Sequence, residues 1–384
     1  MLNITDPSNC CGCTACASIC SHHAITMIPD ALGFLYPKID SDRCVDCGLC
    51  DKVCQFHSRY LRYDNFVSPD AYQFRIDNPE HLLKSQSGGA FFSVAKNFIS
   101  SGGVVYGAAF TDVWRVTHQR VSELEDLDKL RMSKYVQSDM RGVFKQVKND
   151  LKNGFKVLFS GTACQVAGLK SYLPKKYHNE LYCIDIICHG VPSPKIWDDY
   201  ISYLQSTYQS KIVKACFRDK HFGWHGATES FLFANGQEAY RRTSNYLYFS
   251  GLSMRESCSK CYYTNVQRVG DISIGDQWGI PKDSKYEDNL GLSVVFVNSA
   301  KGKKLFELAN AESVICEQVT LRECVQPQLQ YPSSMHRSFR EFRRDYEKHG
   351  FLFVAKKYGD MGWRYKIKTL EEKIKDYVRN ILKK

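Results

Sequence analysis

No apolar run in this sequence approaches the ~20 residues that span a bilayer, so no membrane-crossing helix is expected. The opening stretch MLNITDPSN lacks a basic segment leading into an apolar one, so no secretory leader is expected either. Low-complexity tracts are absent. No helix-turn-helix, zinc-finger or RNP-type pattern is present, which excludes nucleic acid as an expected partner. What the chain does have is cysteine, 17 of them in 384 residues. That count suits a disulfide scaffold in a secreted protein, but these cysteines cluster in metal-ligand spacings, which in a reducing compartment means metal clusters or catalysis. A cytoplasmic location is the expectation. An apolar content of 43% supports a buried core. The length exceeds one ordinary domain, so a small module and a larger body are expected.

The net charge of +11 is uneven. From Met335 to the end there are 15 Lys and Arg against 7 Asp and Glu; the preceding 334 residues hold 37 against 34. A basic tail of this kind can meet nucleic acid, an anionic membrane surface or an acidic partner. Within it, Ile367, Leu370, Ile374, Tyr377, Val378 and Ile381 fall on one face of an expected helix. Packing on the body or pairing with a redox protein or a second copy is the first reading of that face. Attachment to a membrane surface is the second.

The front end carries the most specific pattern. Cys10, Cys13, Cys16 and Cys20 follow C-x₂-C-x₂-C-x₃-C, and Cys44, Cys47, Cys50 and Cys54 repeat it. Zinc sites usually draw four ligands as two separate pairs. Three cysteines at x₂, x₂ spacing wrap one cubane instead, and the fourth reaches the neighbouring cluster. Cys10, Cys13, Cys16 and Cys54 are therefore expected to hold one [4Fe–4S] cluster, and Cys44, Cys47, Cys50 and Cys20 a second. Residues 1–58 resemble the bacterial two-cluster ferredoxins. They depart from them after each fourth cysteine, where Ser21 and Gln55 replace the usual proline. Cys11 is off the pattern: a small residue in a tight loop, or an alternative ligand. A module of this type moves single electrons and performs no organic chemistry, so the body must supply the reaction.

Residues 59–70 read as a linker. A helix is expected over Ala90–Ile99 and a strand over Val104–Phe110, which puts Ser87, Gly88 and Gly89 at a helix N-terminus, where free N–H groups favour an anion. Lys84 either adds a charge there or is simply exposed. A second strand–loop–helix unit places Val157–Phe159 in a strand and Gly161–Gln165 in the loop. LYCIDIIC, from Leu181, reads as a strand covered on both faces. Cys164 and Cys188 thus follow strand ends, the edge where open α/β sheets bind ligands. Cys183 inside the strand reads as a core residue. Cys216, Cys316 and Cys324 read as structural. Cys258 and Cys261 form one more C-x₂-C. With Cys164 and Cys188 they number four, enough for a third cluster or a zinc.

The stretches KSQSGG (84–89), SKYVQS (133–138), GTACQ (161–165), CHGVPSP (188–194), CSKC (258–261) and GDISIGDQWG (270–279) occur in that order. Over residues 70–340 the chain resembles the beta subunit of coenzyme F420-reducing hydrogenase and its relatives, which include F420-dependent dehydrogenases and chlorophyll reductases. That resemblance implies an FAD-dependent body carrying its own iron–sulfur cluster. It makes Cys164, Cys188, Cys258 and Cys261 the ligands of a third [4Fe–4S] cluster. Lys84, Ser85, Ser87, Gly88, Gly89 and Thr162 become flavin-binding candidates. The family commonly has GTPC where this chain has GTAC. Asp276 and Trp278 either shape a pocket or pack a turn. In FRDKHFGWHG (217–226), Lys220 and His221 are candidate substrate or proton-handling groups on a loop expected over the site, with plain solvated charges as the alternative.

The fold expected is an α+β ferredoxin-like iron–sulfur module, then a larger α/β domain over 71–334, then a basic helical tail over 335–384. The activity expected is electron exchange between [4Fe–4S] clusters and FAD, and from there with an organic two-electron acceptor: coenzyme F420 or another conjugated or carbonyl substrate. No nickel site is visible. The rival readings are an electron-transfer subunit with no substrate of its own, and a redox-sensing binding protein.

Overall fold

The computed structural model describes residues 6–56 and 65–363 apart from 282, 285, 311 and 312, together with 365 and 367. The first module is built on two cysteine loops, each followed by a short helix, Ala15–Ile19 and Leu49–Lys52, and on an antiparallel hairpin of β1 (Ile25–Pro29) and β2 (Leu35–Ile39). The loops repeat in conformation as well as in spacing. Residues flanking the second cysteine of each are left-handed: Gly12 and Thr14 around Cys13, Asp46 and Gly48 around Cys47. The hairpin turn is tied by Asp30, whose carboxylate accepts from the N–H groups of Leu32 and Phe34. Leu32 and Phe34 then insert into a core with Ile196 and Trp197 of the body. Gly33 lets that approach happen, since a Cβ there would come within 2.9 Å of the Lys195 nitrogen. The module is therefore welded to the body through apolar side chains.

The body is an eight-stranded mixed sheet in the order β13-β3-β12-β11-β7-β6-β4-β5. The ranges are β3 Asp70–Ile76, β4 Val104–Phe110, β5 Val116–Val121, β6 Val157–Thr162, β7 Leu181–Ile186, β11 Ile272–Asp276, β12 Ser293–Val297 and β13 Ser313–Val319. The four strands β11, β7, β6 and β4 are mutually parallel, and every pairing outside them is antiparallel. Alternation along the strands feeds two cores. Val104, Tyr106, Val157, Phe159, Leu181 and Cys183 face the helices Val143–Lys152 and Ala163–Tyr172. Val105, Leu158 and Ile184 face the helices Ala90–Ser100 and Ala300–Asn310. The β7 segment is thus covered on both faces, as its continuous apolar run suggests. A smaller antiparallel sheet, β8 (Ile212–Cys216), β9 (Glu229–Phe233) and β10 (Glu238–Arg241), was not expected from the sequence and follows the helix Pro194–Tyr208.

The expected strand Val104–Phe110 is present and the helix Ala90–Ser100 differs from expectation by one residue. The expected loop Gly161–Gln165 is a correction. β6 runs through Thr162 and the helix starts at Ala163, because Thr162 and Gln165 close a reciprocal N-cap that satisfies the first turn directly from the strand. Cys164 consequently sits in the first turn of a helix. Of the tail, the helices Phe339–His349 and Phe351–Lys357 pack Phe342, Tyr346, Phe351 and Val354 into the core around Trp197. The apolar face drawn through Leu370, Ile374, Tyr377, Val378 and Ile381 lies outside the described residues, as do residues 57–64 around the expected linker. Among the described residues no helix is long and apolar enough to cross a membrane.

Candidate functional site

Three groups of cysteines come together. Cys16 lies close to Cys10, Cys54 and Cys50, and Cys13 packs against the helix Ala163–Tyr172, where a Cβ on Gly168 would reach its Sγ at 2.8 Å. Cys20, Cys44, Cys47 and Cys50 line one small cleft at the outer end of the module. Cys188, Cys258, Cys261 and Cys164 are mutual neighbours in the body. Among the described residues no three His, Cys, Asp or Glu side chains close around a single ion. A cubane places its thiolates on separate irons and spreads them further than one zinc does. Burial and the neighbouring sulfurs push the thiols up, Cys258 to about 12 and Cys261 to about 11. Only a bound cation lets four such groups ionise together. The donor set fits an iron–sulfur cluster in each place.

The local backbone prepares these sulfurs. The N–H groups of Ala24 and Val191 point at Cys20 Sγ and Cys258 Sγ, each at 3.4 Å. Thr162 Oγ1 lies 3.2 Å from Cys164 Sγ. Cys11 is buried, and its thiol lies against those of Cys13 and Cys164, so it fills the space between the module and the body. Cys183 is wholly buried in the core.

A cavity of about 520 Å³ opens at the carboxyl ends of β6, β7 and β11, and Cys188 forms part of its wall. This is the edge at which open α/β sheets bind ligands. Ser85, Ser87, Gly89 and Thr162 line it. Lys84 and Gly88 do not. Lys84 is exposed and pairs with Glu80 at 2.7 Å. Gly88 lies against β3, where a Cβ would overlap the Phe74 carbonyl, so its small size serves strand packing. The Ser85 and Ser87 hydroxyls donate to the carbonyls of His81 and Leu292, so these residues shape the wall and leave their backbone to a ligand.

Lys220 and His221 lie outside the cavity lining. Lys220 Nζ donates to the carbonyls of Leu82, Ser87 and Leu290, each at 2.8 Å, and burial pulls its pKa down to about 7. It ties the Ser87 loop in place. The His221 side chain is 85% exposed and meets Asp219. Their neighbour Arg218 is buried in the wall, donating to Asp276 at 2.6 Å and to the Trp224 carbonyl. Asp276 also accepts from the Trp224 indole, and Trp224 stacks on Trp278 with ring centroids 5.0 Å apart. Asp276 and Trp278 therefore shape the pocket.

Several wall residues carry no signal in the sequence reading. Burial pulls the Lys134 amine down to about 7 and the His118 imidazole to about 4. Ser138 donates to His118 Nδ1 at 2.8 Å while accepting from Gln165, whose other amide atom receives the Thr162 N–H. A hydrogen-bonded line thus runs from His118 to the hydroxyl beside Cys164. Among the described residues, neither the amide atoms of Gln86 nor His189 Nε2 find a partner, although both residues line the cavity. Gln328 donates to His189 Nδ1, which leaves the proton on Nε2. Buried polar atoms of this kind are normally satisfied, so the wall fits a polar ligand such as a flavin. Lys134 and Gln86 stand inside the stretches SKYVQS and KSQSGG, and membership of those motifs is the signal that could have found them.

Residues 9–58 match the model of a 4Fe-4S dicluster domain. Residues 154–320 match the model for the C terminus of the coenzyme F420 hydrogenase/dehydrogenase beta subunit. That stretch of the body is similar to this family. Within the matched segment lie all four body cysteines of the third group and the carboxyl ends of β6, β7 and β11. Among solved structures the chain is similar to a chain of the F420-reducing [NiFe] hydrogenase complex from Methanosarcina barkeri, studied by xenon derivatization. The identity is 16%, the match covers 76% of this chain and 91% of that one, and the TM-score is 0.46. No curated protein matches the sequence significantly. The chain thus joins a 4Fe-4S dicluster domain to a body similar to that beta subunit.

Proposed function

We propose that this chain is a flavin- and [4Fe–4S]-dependent oxidoreductase exchanging electrons with an organic two-electron acceptor, coenzyme F420 or another conjugated or carbonyl compound. One observation carries the reading: the four-cysteine group of the body shares a wall, through Cys188, with a cavity large and polar enough for a flavin. When bound, the clusters supply one-electron carriers and the flavin converts single electrons into a pair. Cys10, Cys13, Cys16 and Cys54 would hold the cluster nearer the body, Cys20, Cys44, Cys47 and Cys50 the outer one, and Cys164, Cys188, Cys258 and Cys261 the third. Ser85, Ser87, Gly89 and Thr162 would bound the flavin. The Arg218–Asp276 pair fixes one side of the pocket, and the stacked Trp224 and Trp278 keep water from it. Lys134 Nζ, with a pKa near neutrality, can hold or release a proton at the wall.

A protein partner for electron entry is a second element of the reading. Cys47 is exposed at the outer end of the module, beside Val45 at 59% exposure and the exposed Leu49. An apolar rim around an accessible cluster site suits a redox protein. Anaerobic purification with iron and flavin counted per chain tests the whole proposal. About twelve irons and one FAD, falling to about eight irons in Cys258→Ala/Cys261→Ala, is the expected result. About eight irons, no flavin and no loss on mutation would reduce the chain to a ferredoxin joined to a binding domain.

A further inference from the structure

Arg255 is 0% exposed, and among the described residues no carboxylate lies within 4 Å of it. Its backbone belongs to the third cysteine group: its N–H donates to Val191 O, and its carbonyl accepts from Cys258 N. Its side chain belongs to the other module. Nε donates to Cys10 O at 2.7 Å, Nη2 to Leu35 O at 2.9 Å, and Nη1 to Gln137 Oε1 at 2.9 Å. Gln137 in turn donates to Cys11 O. The guanidinium lies over the Tyr36 ring at 4.2 Å. Gly12, left-handed between Cys11 and Cys13, closes the pocket, and a Cβ there would come within 2.8 Å of Nη1.

A guanidinium stays charged, and a buried charge without a counter-ion is strongly unfavourable. Each of these hydrogen-bond acceptors is neutral. The nearest acids are already engaged, since Asp30 and Glu256 both pair with Arg343. The sulfurs near Arg255 that a cluster would make anionic are Cys10 on one side and Cys258 on the other. A [4Fe–4S] cluster with four thiolates is anionic in each working oxidation state, and nearby charge is one of the levers that set its potential.

We infer that Arg255 is the shared counter-ion of two cluster sites, the inner one of the N-terminal module and the one in the body. It is a positioning residue that raises both reduction potentials while clamping the modules together. The inference rests on the cofactor reading above and adds which residue couples the two sites. The added electron on either cluster is stabilised by the same cation, so its removal lowers both potentials and leaves the outer site, held by Cys20, Cys44, Cys47 and Cys50, unchanged.

The test is a potentiometric titration followed by electron paramagnetic resonance on the anaerobic full-length protein, comparing wild type, Arg255→Lys and Arg255→Gln. Signals are assigned with the Cys258→Ala/Cys261→Ala variant. In Arg255→Gln, two of the three clusters should lose at least tenfold in reduced-to-oxidised ratio at a fixed potential, about 59 mV each for one electron. Arg255→Lys, which keeps the charge, should stay near wild type. Gln137→Glu offers a carboxylate to Nη1 without emptying the site, and it should shift the same two clusters in the same direction even where Arg255→Gln fails to fold. Potentials that ignore both charge-changing variants, or that move equally in Arg255→Lys and Arg255→Gln, would overturn the role of Arg255. A wild-type protein with fewer than three clusters would instead overturn the cofactor reading beneath it.

Discussion

Asp185 offers the sharpest test of how the body cysteine group is held. It lies on β7 with no exposure, and Arg268, 2% exposed, meets it from the segment that follows Cys261. Oδ1 accepts from Arg268 Nε at 3.0 Å and Nη2 at 2.7 Å. Oδ2 accepts from the N–H groups of Val269 and Gly270, at 3.2 and 2.7 Å. Four donors thus converge on one carboxylate. Asparagine has the same shape but one acceptor oxygen, so either orientation turns an NH₂ toward two donors and leaves Arg268 without its counter-charge. Breaking one side of a buried pair costs about 3–5 kcal/mol. For a chain of this length that is roughly 4–6 °C in apparent melting temperature, taking unfolding entropy at about 2 cal/mol/K per residue. Asp185→Asn should show that loss in a thermal melt of the cluster-free protein under reducing conditions. It should also lose about four irons when loaded, because the segment behind Cys258 and Cys261 is no longer pinned. Replacing both partners by apolar residues, Asp185→Leu with Arg268→Met, should recover part of the stability. A melt of Asp185→Asn within about 1 °C of wild type would refute the reasoning.

Lys220→Met should destabilise the protein by roughly 3 kcal/mol by orphaning three carbonyls, whereas His221→Ala should change stability by less than about 0.5 kcal/mol; urea titration separates the two. The Lys134 amine is charged below about pH 7 and neutral above it, so flavin affinity followed by fluorescence should fall as pH rises through 7, and Lys134→Met should flatten that profile. Cys20→Ala/Cys47→Ala should remove about four irons and leave flavin content at one per chain, since the outer site lies away from the cavity. Gly12→Ala should perturb the spectrum of the inner cluster, because the new methyl group meets Arg255.

The two-cluster module was readable because the repeated cysteine spacing is local, whereas the approach of Cys54 to Cys16 and Cys10 depends on how the two loops face each other. The strands were readable for a similar reason, through the short apolar runs at the start of β4 and β6 and the longer one of β7. Side chains whose partners lie far along the chain were not readable. Lys84 and Lys220 look alike as sequence, yet one meets Glu80 four residues away and the other is enclosed by carbonyls 70 to 138 residues distant. Arg255 stands beside a conspicuous C-x₂-C, but its acceptors are up to 245 residues away. His118 and Ser138 meet only because β5 brings its residues back beside the 133–138 segment. The loop expected at Gly161–Gln165 failed on a local point, since a Thr–Gln capping box begins a helix without any intervening loop.

The helix Ala163–Tyr172 carries Cys164 in its first turn and Gly168 one turn later, against Cys13. Four residues at 1.5 Å of rise span about 6 Å, so the offset between Cys164 and the point where Cys13 packs is written into one rigid rod. Cys13 is kept against that rod by packing, not covalently, through the apolar seam in which Leu32 and Phe34 meet Trp197. Under the cofactor reading proposed above, the gap between these two sites would hold for as long as that seam stays packed.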